Sequence, residues 1–301
     1  MRRLTIVLML ALGAVAAPAR AACPPPDYPP ALLDFIRAQG FVIDDAAERN
    51  ALALALLDCL GDPDPRWRDA TAFGALATWL RAGALGDDTL RELHGRLVAQ
   101  VGDARDPRGF RRPFAVLALA EVARADRVQP RLDDAQRAAM VDAAIDYLRE
   151  LRDYRGFIAG EGWRHGVAHA ADLVLQLASS EQIAAADVAR LLDALATQVA
   201  PTVDMAYVHG EPERFARAAF WAWHRGVLDD AWWDAWVERV SAPAPLPTWQ
   251  AAYAGTSGLA RRHNVRAFVL SLAHLARRGG GERGARLLAA CDRALDRIDA
   301  S

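Results

Sequence analysis

Residues 160–172 read Gly-Glu-Gly-Trp-Arg-His-Gly-Val-Ala-His-Ala-Ala-Asp, the densest run of chemistry-bearing side chains in the chain. If the segment is helical from Trp163 onward, His165, His169 and Asp172 stand at i, i+4 and i+7, within about 60° of arc. Two imidazoles and a carboxylate on one stripe can supply three ligands to one zinc ion, whose open fourth position would activate a water. Glu161, or Glu211 or Glu213 from farther along, is then a candidate base. The spacing departs from the H-E-x-x-H metalloprotease pattern, because Gly166 stands where the glutamate would be. The same stripe equally suits a metal-free binding or acid–base groove. It also suits a buried hydrogen-bond network in which Asp172 orients His169.

Arg155 and Arg164, with Trp163 beside the latter, bracket the histidines and could hold an anionic substrate, although in an arginine-only chain each is more often a surface or ion-pair residue. A second polar loop, His209-Gly210-Glu211-Pro212-Glu213-Arg214, has the acids of a helix start. It faces the first run only if the chain curves back on itself. Trp221, Trp223, Trp232, Trp233 and Trp236 crowd one short region with Phe215 and Phe220. Stacking on sugar rings is one use for them, but the helical spacing of Trp232, Trp233 and Trp236 favours a core. No G-x-S-x-G, P-loop or dinucleotide-binding glycine pattern is present.

The elements that must position these groups are helical. Apolar residues recur with helical periodicity almost throughout, and alternating patterns are nearly absent. About twelve helices are expected, among them 44–60, 66–81, 163–179, 212–225 and 249–277. Short connections make successive helices antiparallel, so the chain is expected to form hairpins stacked as a degenerate HEAT-like α-solenoid. The corner Leu60-Gly61-Asp62-Pro63-Asp64-Pro65, followed by Arg68-Asp69, suits a tight inter-helix turn: proline stops one helix and aspartate caps the next.

Three segments now carry a resemblance. Gly160 through His165 with His169–Asp172, the Cys59–Pro65 corner with Arg68-Asp69, and Arg155-Gly156-Phe157 resemble a bacterial domain-of-unknown-function family, DUF2785, over roughly residues 50 to 275. The resemblance implies an all-α, HEAT-like fold and brings no catalytic residues with it.

The N-terminus reads as an export signal: basic Met1-Arg2-Arg3, an apolar Leu4–Ala17, then Ala19-Arg20-Ala21 as a cleavage pattern. Residues 1–21 are therefore expected to be removed, leaving residues 22–301 as one helical-repeat domain, periplasmic or secreted. Arg20 disfavours lipidation of Cys23. No later stretch is long and apolar enough to span a bilayer as a helix. The net charge of −2 argues against nucleic acid as a partner. The basic residues are all arginine, a bias expected of a GC-rich bacterial coding sequence. Cys23, Cys59 and Cys291 leave one thiol unpaired, with a Cys23–Cys59 bridge possible in an oxidising compartment.

The leading expectation is an envelope scaffold that binds a protein or peptide. A hydrolase centred on His165, His169 and Asp172 is the alternative, and a glycan-binding α/α protein a lesser one.

Overall fold

The computed structural model describes residues 23–300, so the expected signal peptide and cleavage motif lie outside the described residues. The protein is a stack of twelve α-helices among the described residues, with one tiny β-ribbon. They are α1 (Pro30–Ala38), α2 (Ala46–Ala55), α3 (Gly74–Arg81), α4 (Asp87–Gly102), α5 (Arg111–Val128) and α6 (Asp134–Glu150), followed by α7 (Gly166–Ala178), α8 (Ala185–Val199), α9 (Glu211–Arg225), α10 (Asp230–Val240), α11 (Thr256–Gly279) and α12 (Gly281–Asp299).

Local chemistry sets the boundaries. Asp45 caps α2 by accepting from the N–H groups of Ala47 and Glu48, and Asp133 and Gln136 close a reciprocal capping box on α6. Each satisfies donors that a helix start leaves free, worth about 1 kcal/mol per cap. α9 carries Glu211 and Glu213 in its first turn and ends at Gly226, whose φ of 78° only glycine adopts without cost.

The helices pack in two layers. α3, α5, α7, α9 and α11 touch in series and form one layer, while α2, α4, α6 and α8 run alongside as the other. α4/α5 and α11/α12 are in direct contact as hairpins. α7 meets α5, α6, α8 and α9 at once, which explains its sequence: Ala168, Ala170 and Ala171 let neighbours approach, and Leu173, Val174 and Leu177 are buried. Each large aliphatic side chain so buried contributes roughly 1.5–3 kcal/mol. No substantial contact joins α1–α3 to α10–α12 among the described residues, so the series does not close into a ring around the tryptophans.

Several expected helices are interrupted. The 44–60 helix ends at Ala55 and tightens into a 3-10 turn over Leu56–Gly61. The 66–81 helix begins as a wide π-helical segment, Arg66–Phe73. Thr71 Oγ1 donates there to the Arg66 carbonyl five residues back. The 249–277 helix divides into a 3-10 segment, Gln250–Ala254, and α11. Gly258 explains the close fold-back, since a side chain there would meet the Ala252 carbonyl.

Cys23 and Cys59 form a disulfide across 36 positions of sequence. Closing such a loop stabilises the fold by about 3–4 kcal/mol on the chain-entropy account. Cys291 is a free, buried thiol, and burial pushes its pKa up to about 12. It is therefore a packing residue with little thiolate character.

Candidate functional site

The expected stripe is broken at its first residue. α7 starts at Gly166, and Gly162-Trp163 instead pairs antiparallel with Phe157-Ile158. The ribbon extends toward the helix as Arg164 N–H donates to the Gly156 carbonyl and His165 N–H to the Arg155 carbonyl. His165 then sits in the left-handed region, at φ 49° and ψ 32°. For a residue with a side chain that costs on the order of 1–3 kcal/mol. The turn swings the His165 ring out of the helical register it was expected to share with Asp172.

The ring lands in a different set of partners. Trp163 stacks on it with centroids 4.8 Å apart. Its Nε2 lies 3.5 Å from Oε1 of Glu211, within ion-pair range but without a hydrogen-bond partner. His209 Nδ1 is 3.8 Å from the same oxygen, and the His209 ring stands edge-on to Trp163. Two loops remote in sequence thus meet at the N-termini of α7 and α9. Gly156 makes the meeting possible, because a β-carbon there would overlap the His209 ring.

Glu211 is the hub of this corner. Its side chain is 2 % exposed, and His209 N–H donates to its Oε2 at 2.9 Å. Burial pushes its carboxyl pKa up, but the contact with His165, the backbone N–H groups of Glu211 and His209 and the charge of His165 more than offset this. The net effect holds it below its usual value. It is a buried, ionised carboxylate between two imidazoles.

His169 behaves differently although only four residues away. Its Nδ1 lies 3.0 Å from the Pro113 carbonyl, so this nitrogen donates and Nε2 keeps its lone pair. Burial, helped by the neighbouring His165, lowers its pKa to about 3. Asp172 does not orient it. α9 packs against α7 and brings Arg214 onto the Asp172 carboxylate instead. Burial pushes the Asp172 carboxyl up, the Arg214 pair only partly countering it. His165, His169 and Asp172 therefore do not share a metal-binding point, and no group of three or more His, Cys, Asp or Glu among the described residues is arranged to hold a metal ion. A zinc role for that stripe finds no support in the geometry.

The other expected residues are distributed around this corner. Glu161 pairs with Arg164 at 2.6 Å, and Arg164 is buried, its guanidinium over the Phe110 ring and its Nε donating to the Arg108 carbonyl. Arg155 is held by Asp153. Both arginines are thus in ion pairs, as arginines commonly are, while one buried amino group of Arg164 has no hydrogen-bond partner. Glu213 is exposed on the first turn of α9 and lies outside the cluster. Trp163 and its ribbon partner Phe157 remain 38 % and 51 % exposed, and Val208 next to them in the chain to His209 is also exposed. They form an aromatic ledge above the buried Glu211.

Behind the ledge runs a groove that takes in three of the sequence candidates, His169, Asp172 and Arg214. It crosses α3, α5, α7 and α9, has a volume of about 390 Å³, and is lined by His169, Asp172 and Arg214 together with Arg81, Glu121, Arg124 and Arg217. His169 belongs to both compartments, since its ring also stands 5.9 Å from that of His165.

Of the three tryptophans favoured for the core, Trp233 and Trp236 are buried and Trp232 is half-buried against them; Trp223 is buried as well, and Trp236 packs edge-on to Phe268. No described helix is long and apolar enough to cross a membrane.

Comparison with known proteins gives one relation. The family model described as a protein of unknown function, DUF2785, matches residues 97–273. This span holds the ledge and most of the groove but not the Cys59–Asp69 corner. No curated protein and no solved structure matches.

Proposed function

The chain belongs to the DUF2785 family of proteins of unknown function, and from its site we propose that it is an exported, HEAT-like helical-repeat protein that binds a protein or peptide partner in the cell envelope. The observation that carries this is the aromatic ledge. Phe157 and Trp163 are exposed yet locked, their rings 5.2 Å apart, with His165 stacked beneath the tryptophan. A rigid, exposed tryptophan is the kind of anchor that dominates protein-binding energetics, because little side-chain freedom is lost when a partner covers it. The Cys23–Cys59 bridge supports export, since such bonds persist in oxidising compartments. It also occupies the sulfur that lipidation of Cys23 would need.

Random peptides displayed on phage and selected on the immobilised protein test this reading. An enriched sequence family should emerge whose affinity falls by at least about tenfold on Trp163→Ala, with circular dichroism unchanged. Selected peptides that bind the variant equally well, or no enrichment at all, would overturn it.

A second reading, hydrolysis, is favoured by Glu211 lying between two imidazoles. His209, 33 % exposed against 10 % for His165, would exchange the proton with an attacking water, and Glu211 would steady the imidazolium. Turnover of an ester or muropeptide panel that vanishes in both His209→Ala and Glu211→Gln would establish it. Equal turnover by those variants would remove it.

A further inference from the structure

We propose that the groove crossing α3, α5, α7 and α9 receives an acidic peptide segment whose carboxylates are held by Arg124 and Arg217. This deepens the binding reading above, on which it rests, by giving the partner a charge.

The argument begins with charge balance. Four arginines line the groove, Arg81, Arg124, Arg214 and Arg217, against two acids, Glu121 and Asp172. Arg81 is bidentate to Glu121, and Arg214 is paired with Asp172. Arg124, half-buried on α5, and Arg217, exposed on α9, have no hydrogen-bond or ion-pair partner among the described residues. Two planar donor forks are therefore left facing one cavity, and carboxylates match such forks in shape as well as charge.

The surroundings reinforce the sign. Arg127 donates through Nε to Gln176 Oε1 at 3.1 Å, and Gln176 lines the groove. Burial and the charge of Arg124 lower the Arg127 pKa. Burial first, then the charges of His165, Arg214 and Arg68, act against protonation of His169 on the same wall. Burial raises the Asp172 carboxyl pKa on this wall, and the charges of Arg214 and Arg217 act against that rise.

The layout of the groove suits a chain. Arg124 and Arg217 belong to helices on opposite sides of α7, and both line the same groove. An extended chain, advancing about 3.3 Å per residue, can present a carboxylate to each. The volume of about 390 Å³ suits a short segment and excludes a folded domain.

Fluorescence anisotropy with fluorescein-labelled hexaglutamate tests the proposal on wild type, Arg217→Gln, Arg124→Gln/Arg217→Gln and Trp163→Ala. Arg217 is exposed, so its single variant keeps the test valid if the double variant folds poorly. Affinity should fall about tenfold for Arg217→Gln and about a hundredfold for the double variant. It should weaken as salt rises and stay unchanged in Trp163→Ala. Hexaglutamate that fails to bind, or binds the double variant as tightly, overturns the proposal. So does tight binding of inorganic phosphate without hexaglutamate, which would mark a small-anion site. Because Trp163→Ala is read separately here and in the peptide selection, loss of the ledge reading and loss of the groove proposal give different patterns.

Discussion

Two aromatic-rich regions of this protein have opposite fates. Along α10 and α11, Trp233, Trp236 and Phe268 are buried against one another with no charged group among their ring partners. At the N-termini of α7 and α9, Trp163 is partly exposed and packs on two histidines around a buried carboxylate. The first region sets its rings at helical spacing, and burial of those rings stabilises the fold. The second carries a left-handed histidine and a desolvated charge, both of which cost free energy. Residue type alone does not separate the two regions. Strain and buried charge do.

The sharpest test compares one tryptophan from each. Trp236→Ala removes a fully buried ring and is expected to cost about 3–5 kcal/mol, measured by urea unfolding. Trp163→Ala, at the surface, should cost no more than about 1 kcal/mol. Equal losses would erase the distinction.

Acid comes next. The His169 pKa is depressed to about 3 in the folded state, against about 6.5 when unfolded. Between those values the unfolded chain binds the extra proton, so stability falls as pH falls through that window, by on the order of 5 kcal/mol in all. Glu211, held below its usual value, adds a loss in the same direction at the acidic end. His169→Gln should flatten the slope of stability between about pH 6 and 4. An unchanged slope would place the acid sensitivity elsewhere.

A smaller loss than that of Trp236→Ala or of acid is expected at Gly156, where a methyl group would press on the His209 ring. Gly156→Ala should destabilise by about 1–3 kcal/mol and shift the His209 imidazole resonances, leaving those of His263, which contacts the Tyr207 carbonyl, in place.

Much of the fold was legible because it follows from a 3.6-residue apolar period and from helix-start acids such as Asp45. The run around His165 was legible as unusual, but its meeting with His209 and Glu211 was only one of the arrangements a helical stack allows. The backbone turn at His165 was not, since the ribbon that imposes it is two residues long on each strand. It depends on Gly160 and Gly162 at positive φ. The pairing of Asp172 with Arg214 rather than His169 is a tertiary contact without a local signature. The groove was legible in part, through His169, Asp172 and Arg214, but its unpaired arginines were not, for a compositional reason. In a chain whose 36 basic residues are all arginine, Arg124 and Arg217 look like any other solvated positions.

The serial contact of α3, α5, α7 and α9 also has a mechanical side. The groove's width is set by three helix interfaces in succession, so a small rotation at each one accumulates along the row. A segment lodged between Arg124 and Arg217 would act across two of those interfaces, and the row would respond to it as a spring does, sharing the strain among several joints.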